Sequence, residues 1–230
     1  MTESLNYYLA ADVRELDRLA IEEYGIPGFT LMQRAGRAVF DAIKIKWPDT
    51  QMIVCFCGSG NNGGDGYVIS ALAKKNGMEA LVIALGNPNS LKDDARKAYL
   101  MAVENNACII PFPELKQADL ASLSSTTVVI DALLGTGLTG TVRESYMSAI
   151  ELINASDWPI LAADIPSGLC SDSGTVLGNA VKANITVTFI GRKLGQAIAQ
   201  GPEYCGELLF DDLAVPGEIY TQVSPAMPSI

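Results

Sequence analysis

Four short segments stand out as carriers of chemistry: GSGNNGGDG at 58–66, DALLGTGLTGT at 131–141, DIPSG at 164–168 and IGRKLGQ at 190–196. In the first, Asn61, Asn62 and Asp65 stand among Gly63, Gly64 and further glycines. Such side chains can donate to phosphate or hydroxyl groups, accept from a ligand, or coordinate a hard cation. The chain contains no histidine. Ser-His-Asp and Cys-His nucleophile systems, HExxH metalloproteases and histidine proton shuttles are therefore excluded, and any acid or base work falls to carboxylates, Lys, Tyr, Cys or bound water.

Gly58, Gly60 and Gly63 satisfy GxGxxG between an apolar run and a helical pattern, the context of a dinucleotide fingerprint. The alternative is a tight strand-to-helix turn that needs glycine for its backbone alone. The full fingerprint also places an acidic residue at the end of the next strand, about 20 residues on, for the ribose hydroxyls. Asn87 and Asn89 stand there instead, which argues against an ordinary nicotinamide dehydrogenase, and no GK[ST] follows to make a P-loop.

The 230 residues carry 26 acidic and 16 basic side chains, a formal charge of -10, and 49% hydrophobic residues. That length and apolar content suit one large domain. The negative field argues against nucleic acid as a partner, while a compact phosphate can still be held by backbone amides at a helix N-terminus. Five cysteines, with no CxxC pair, argue against a disulfide framework or a zinc site; Cys55 and Cys57 read as small apolar packing residues. The N-terminus lacks a basic region followed by an apolar core, and no apolar stretch is long enough to span a bilayer. The expectation is a soluble protein of the reducing cytoplasm, without a membrane partner.

The elements that must position these segments alternate along the chain. Residues 10–24 carry Val13, Leu16, Leu19, Ala20 and Tyr24 at helical spacing, and a second amphipathic stretch runs from Thr30 to Trp47. Strand-like runs follow at 52–57, 79–85, 107–110, 126–134, 159–163, 184–190 and 206–210, with helical patterns at 64–76, 91–105 and 142–154. Continuous apolar strands separated by helices predict an α/β fold, a Rossmann-like three-layer α/β/α sandwich with a mostly parallel central sheet. Ligands in such sheets bind beyond the carboxyl ends of the strands, and all four chemical segments lie at such ends. Residues 221–230, with prolines near the terminus, read as a linker or disordered tail after a domain of residues 1–220.

The blocks GSGNNGGDGYVIS, VIDALLGTGLTGTVRE, ADIPSGL and VTFIGRKLGQ, in that order and preceded by GFTLMQRAGRAV, resemble the signature blocks of the YjeF N-terminal domain family. The resemblance spans roughly residues 10–212, and five ordered blocks are far more specific than any one of them. It implies a Rossmann-like sandwich and NAD(P)H-hydrate epimerase activity, the interconversion of R and S forms of NADHX and NADPHX in cofactor repair. It also implies a homodimer working beside an NAD(P)HX dehydratase, which in bacterial members is often fused C-terminally. Carried over residue by residue, it assigns Asn61, Asn62, Gly63, Gly64 and Asp65 to the dinucleotide hydrate. Gly135, Thr136, Gly137, Leu138, Thr139, Gly140 and Thr141 would form a loop wrapping the substrate, and Asp164 would lie at the reacting end. Lys193 matches a basic position of the last block, and a potassium ion would be held by Asn62, Asp131 and Ser167. Gln33 departs from the usual Glu, with packing of the N-terminal helices as the point it puts in question.

The chemistry agrees with this assignment. The hydrate is a hemiaminal: its hydroxyl can leave with a proton, the ring nitrogen stabilises the cation, and water can return to the other face. One carboxyl group alternating between acid and base serves, and Asp164, first after a buried strand, is the candidate. Strand-end capping is the alternative for Asp164 and Asp131, a plain crossover for the GTGLTGT loop, and a solvated surface charge for Lys193. Two other functions stay open at this point: a non-catalytic nucleotide-binding or interaction module of the same fold, and a nucleotide hydrolase.

Overall fold

The computed structural model describes residues 6–116, 120, 123 and 125–226. A short strand, β1 (Tyr7–Tyr8), leads into α1 (Ala10–Arg18), which continues as a π-helical turn over Leu19–Glu23, and then α2 (Gly28–Lys46). There follow β2 (Met52–Cys57), α3 (Asn61–Lys75), β3 (Glu79–Ala84), α4 (Asp93–Glu104), β4 (Cys108–Pro111) and β5 (Thr127–Ala132). The second half holds α5 (Glu144–Asn154), β6 (Ile160–Ala163), β7 (Ile185–Phe189), β8 (Arg192–Lys193), α6 (Leu194–Ala197), α7 (Gly201–Cys205) and β9 (Glu207–Asp211).

Seven strands form one sheet in the order β4-β3-β2-β5-β6-β7-β9, every neighbouring pair parallel. The chain runs outward from β2 to β4, then returns to β2's other side as β5. That reversal makes the gap between β2 and β5 the topological switch point of a doubly wound sheet.

Alternate residues of the strands serve two cores. Ile53, Cys55, Cys57, Val128, Ile130 and Ala132 face α1 to α4, whereas Val54, Phe56, Val129 and Leu133 face α5. Burial on both faces is why these strands read as continuous apolar runs, with each fully buried branched or aromatic side chain contributing roughly 1.5–3 kcal/mol. Val13, Leu16, Leu19 and Ala20 of the first helix are buried as the spacing predicts, but Tyr24 is exposed. The π turn ahead of it breaks the helical phase that would have carried it inward. Gln33 is exposed on α2, so the departure from Glu does not alter how that helix packs. The described core also reaches beyond residue 220, because Val223 is buried with Ile219 against the α1–α4 side.

The helix after β2 begins at Asn61 rather than near 64, so NNGGDG is helical and only Gly58–Gly60 form the turn. Its glycines explain how that is achieved. A Cβ on Gly66 would stand 2.6 Å from Cys57 Sγ and 2.8 Å from the Ala132 methyl, and one on Gly63 would overlap the Gly58 carbonyl. α3 thus lies unusually close to β2 and β5, a fit that requires Cys55, Cys57 and Ala132 beneath it to be small.

Candidate active site

A cleft of about 700 Å³ opens at the carboxyl ends of the strands, over the switch point. One wall is helical, with Val13, Asp17 and Ile21 from the first helix and Leu31, Met32 and Ala35 from α2; the other is the segment Leu133–Thr139 with Thr141, Arg143 and Tyr146. Asn61 and Asn62 open α3 at its edge, while Asp65, Asp164, Phe189, Ile190 and Lys193 also line it. The first helical hydrogen bond of α3 runs from Gly64 N to the Gly60 carbonyl at 3.1 Å. The amides of Asn61, Asn62 and Gly63 precede it and, with glycine at the cap position, no side chain caps them. Free amides and the helix dipole together make this end a seat for a phosphate.

Lys193 lies at the bottom of the cleft, fully buried. Its ammonium donates to Asp164 Oδ1, to Thr188 Oγ1 at 2.9 Å and to the Phe189 carbonyl at 3.1 Å. Asp164 Oδ1 also accepts from Phe189 N at 3.3 Å and Thr188 Oγ1 at 3.4 Å, whereas Oδ2 receives no hydrogen bond from the described residues. Gln196 ties the backbones of this pair together, accepting from Lys193 N at 2.8 Å and donating to the Asp164 carbonyl at 2.8 Å. The readings of Lys193 as a surface charge and of Asp164 as a cap on DIPSG are therefore set aside: the lysine is inside, and the carboxylate bonds to residues 188, 189 and 193.

Backbone strain marks the same spot. Asp164 has φ 67° and Ile190 φ 59°. In each case the next amide bonds back across it, Ile165 N to the Ala163 carbonyl at 2.9 Å and Gly191 N to the Phe189 carbonyl at 2.6 Å. These are γ-turns of the rare left-handed kind, each unfavourable by about 1–3 kcal/mol and especially so for a β-branched residue. They turn the chain sharply off β6 and β7 and bring both residues to the cleft.

Three carboxyl groups surround the single buried ammonium. Burial pushes Asp65 well above the ordinary carboxylate range, Asp164 and Asp17 add to this, and Lys193 opposes it. Asp17 is raised to about 6, by burial first, with Lys193 lowering and Asp164 raising it. Such a cluster can hold and pass protons near neutral pH.

Behind the cleft, Asn62, Asp131 and Ser167 meet at one corner of the chain. Ser167 donates from N to Asp131 Oδ2 at 2.7 Å and from Oγ to Oδ1 at 2.6 Å, and Leu133 N donates to Oδ1 at 3.2 Å. Leu134 N donates to Ser167 Oγ at 2.8 Å, and Asn62 Nδ2 donates to the Leu134 carbonyl at 3.1 Å. Asp131 does cap strand-end amides, as its alternative reading held. Two features exceed capping: Asn62 Oδ1 is buried without a hydrogen-bond partner, and Asp131 is a fully buried carboxylate that no cationic side chain among the described residues pairs. Burial raises Asp131 to about 6 against the hydrogen bonds from Ser167 and Leu133. An orphan carbonyl oxygen beside a buried carboxylate and a hydroxyl suits a hard, weakly charged cation.

Most of the residues nominated from the sequence thus converge. Asn61, Asn62, Asp65, Gly135, Thr136, Gly137, Leu138, Thr139, Thr141, Asp164 and Lys193 line the cleft. Gly140, at φ 72°, is exposed just outside it, and Gly63 and Gly64 lie behind it, packed against Gly58 and Met32. Asp17, Thr188, Gln196, Arg143 and Tyr146 were not singled out from the sequence. Only Asp17 carried a signal, as the acidic member of an otherwise apolar helical stripe.

A parallel sheet with uncapped helix-start amides and a buried cluster of carboxyl groups around one ammonium at its switch point defines a doubly wound α/β protein with a candidate active site at its strand ends. The chain belongs to the family described as YjeF-related protein N-terminus, which matches residues 28–195. It is 44% identical over 94% of its length to the bifunctional NAD(P)H-hydrate repair enzyme Nnr of Coxiella burnetii, spanning 43% of that protein. It is 36% identical, also over 94% of its length, to the NAD(P)H-hydrate epimerase of Legionella pneumophila strain Paris, spanning 80% of it. The crystal structure of yeast YNL200c superposes with a TM-score of 0.81 at 18% identity, over 95% of this chain and 93% of that one, and shares its fold.

Proposed function

We propose that this chain is an NAD(P)H-hydrate epimerase, interconverting the R and S forms of hydrated NADH and NADPH. The observation that carries the reading is the Asp164 carboxyl group lining a cleft of about 700 Å³, with Oδ1 held by Lys193 and its neighbours and Oδ2 without a hydrogen bond from the described residues. Relatives bearing the epimerase name at 36% identity support it.

The amides opening α3 seat the pyrophosphate, with Asn61 and Asn62 beside them, and the GTGLTGT segment closes over the substrate with Thr136, Thr139 and Thr141 offering hydroxyls. The hydrated nicotinamide reaches down to Asp164. There the carboxyl group exchanges a proton with the ring hydroxyl as its carbon–oxygen bond breaks, the ring nitrogen carries the positive charge, and water re-enters on the other face. Lys193 fixes the orientation of Asp164 by holding its Oδ1. Asn62, Asp131 and Ser167 would hold a potassium ion, which would offset phosphate charge and order the corner at Leu133 and Leu134. On this reading the protein is a cytoplasmic homodimer working alongside a dehydratase for the S form. Among the described residues no helix is long and apolar enough to cross a membrane.

The test is to supply purified protein, in potassium buffer, with NADHX enriched in the R form and to follow both epimers by reversed-phase chromatography. Wild type should drive the mixture to equilibrium faster than the spontaneous rate. Asp164→Asn should lose turnover by roughly 10²–10⁴-fold while still binding the dinucleotide in a thermal-shift assay. Binding without acceleration would make the protein a binding module, and release of nucleotide fragments would make it a hydrolase.

A further inference from the structure

The first helix carries a residue that its packing does not explain. Positions 13, 16, 17 and 20 make the i, i+3, i+4, i+7 stripe that a surface helix turns inward, and Val13, Leu16 and Ala20 are buried there. The fourth member is Asp17. It receives no hydrogen bond from the described residues, although Arg18 beside it binds Glu15, Glu22 and Glu23. Its side chain lines the cleft together with Asp65, Asp164 and Lys193. Lys193, the cation that faces it, already donates to Asp164, Thr188 and the Phe189 carbonyl. A half-buried carboxyl group without a hydrogen-bond partner, on a stripe whose other members pack inward and facing a cluster of charged groups in the cleft, asks for a role.

We propose that Asp17 is a second catalytic carboxyl group of this cleft, serving the face of the nicotinamide ring that Asp164 does not. The proposal rests on the epimerase reading. Inversion at a hemiaminal carbon needs a proton delivered to the hydroxyl leaving one face and a proton removed from the water entering the other. A carboxyl group fixed at the end of β6, as Asp164 is by Lys193, serves one face well, whereas Asp17 approaches from the helical wall. In one direction neutral Asp17 gives its proton to the ring hydroxyl, the carbon–oxygen bond breaks, and water departs as the nitrogen lone pair forms the iminium. A second water then bonds to that carbon from the other side and loses its proton to the Asp164 carboxylate. One proton has moved from Asp17 to Asp164, and either the reverse turnover or exchange with solvent restores it, with no oxidant or reductant. Burial and the nearby Asp164 hold Asp17 at about 6 despite Lys193, which leaves a protonated fraction at neutral pH. The groups facing it are Lys193, Asp164, Asp65 and, from the C-terminal turn, Tyr220, whose hydroxyl donates to the Ile190 carbonyl at 2.7 Å.

The experiment follows each NADHX epimer in ¹⁸O-labelled water, reading interconversion by chromatography and label uptake by mass spectrometry. Wild type must interconvert the epimers above the spontaneous rate; if it does not, the epimerase reading itself falls, whatever the variants do. Given that activity, Asp17→Asn should slow interconversion by roughly 100-fold or more yet still admit label into one epimer with its configuration retained. Asp164→Asn should show the complementary pattern, with uptake confined to the other epimer. Interconversion by Asp17→Asn at the wild-type rate, or loss of interconversion and of label uptake by the same factor in both epimers, would overturn the proposal. If Asp17→Asn lacks a cooperative melt, Asp17→Ala with added formate decides: saturable recovery of interconversion supports the role, and no recovery removes it.

Discussion

Asp17→Asn should make the protein more stable above pH 6 while impairing it. Burial and Asp164 hold the Asp17 carboxyl at about 6 instead of its ordinary 3.8, with Lys193 pulling the other way. At about 1.4 kcal/mol per tenfold change in proton affinity, that opposes folding by roughly 3 kcal/mol once the group is ionised, and solvent in the open cleft reduces this to about 2 kcal/mol. The folded protein keeps this proton to higher pH than the unfolded chain does. The opposition is therefore absent below pH 3.8, grows as the pH rises through 6, and is complete above it. Asparagine never ionises and removes it. For a chain of this length 1 kcal/mol moves the melting temperature by about 2–4 °C, so the variant should melt about 4–8 °C above wild type at pH 8 and merge with it near pH 4. Calorimetry at matched ionic strength from pH 8 to pH 4 measures the gap directly. A variant that melts below wild type at pH 8, or a gap that does not shrink with acid, would refute this account of the cleft's electrostatics.

Gly63→Ala changes no chemical group, but its Cβ would overlap the Gly58 carbonyl between backbone on both sides. The expected loss is about 1–3 kcal/mol by denaturant titration, with weaker dinucleotide binding because the amides at the start of α3 shift with the helix. Wild type should gain thermal stability in potassium chloride over choline chloride at equal ionic strength. Asn62→Ala, lacking the orphan Oδ1, should lose most of that gain, and an equal gain in both proteins would dissociate Asn62 from the ion.

The strand ends were legible because two local patterns coincided: continuous apolar runs announce strands covered on both faces, and Gly, Ser, Thr and Asp gather where those runs stop. What local pattern could not supply was the far side of each contact. Lys193 reads equally well as a surface charge until Asp164, 29 residues away, is folded against it. The glycines of NNGGDG read as a loop opened for a ligand; the structure uses Gly63, Gly64 and Gly66 to press α3 onto Gly58, Met32 and β2, and only Gly60, in the turn just before that run, has open space where a Cβ would stand. The reason is the same in both cases. A glycine or a lysine has a local meaning only through what stands opposite, and that is set by the order of strands in the sheet.

Asp17 was hidden for a further reason, and it bears on how the site is assembled. Its place on the apolar stripe of the first helix marks it as unusual, but the charges beside it, Glu15 and Arg18, give it no destination in the sequence. It becomes a cleft residue because β1 pairs with β8 in parallel, Tyr7 against Arg192 and Tyr8 against Lys193, and because Ala10 N donates to Asp172 Oδ1 at 2.6 Å. Two residues of strand carry no periodicity that a sequence could reveal. Yet that pairing tethers the first helix to the very strand bearing Lys193, so the ammonium that orients Asp164 also fixes where Asp17 arrives. The N-terminal segment then completes the site as well as the core: cutting the β1–β8 pair should free α1, remove one carboxyl group from around Lys193, and leave the cleft open on its helical side. Its tether and its unpaired aspartate have one explanation, since a helix held there for packing alone would gain stability from an apolar residue at position 17.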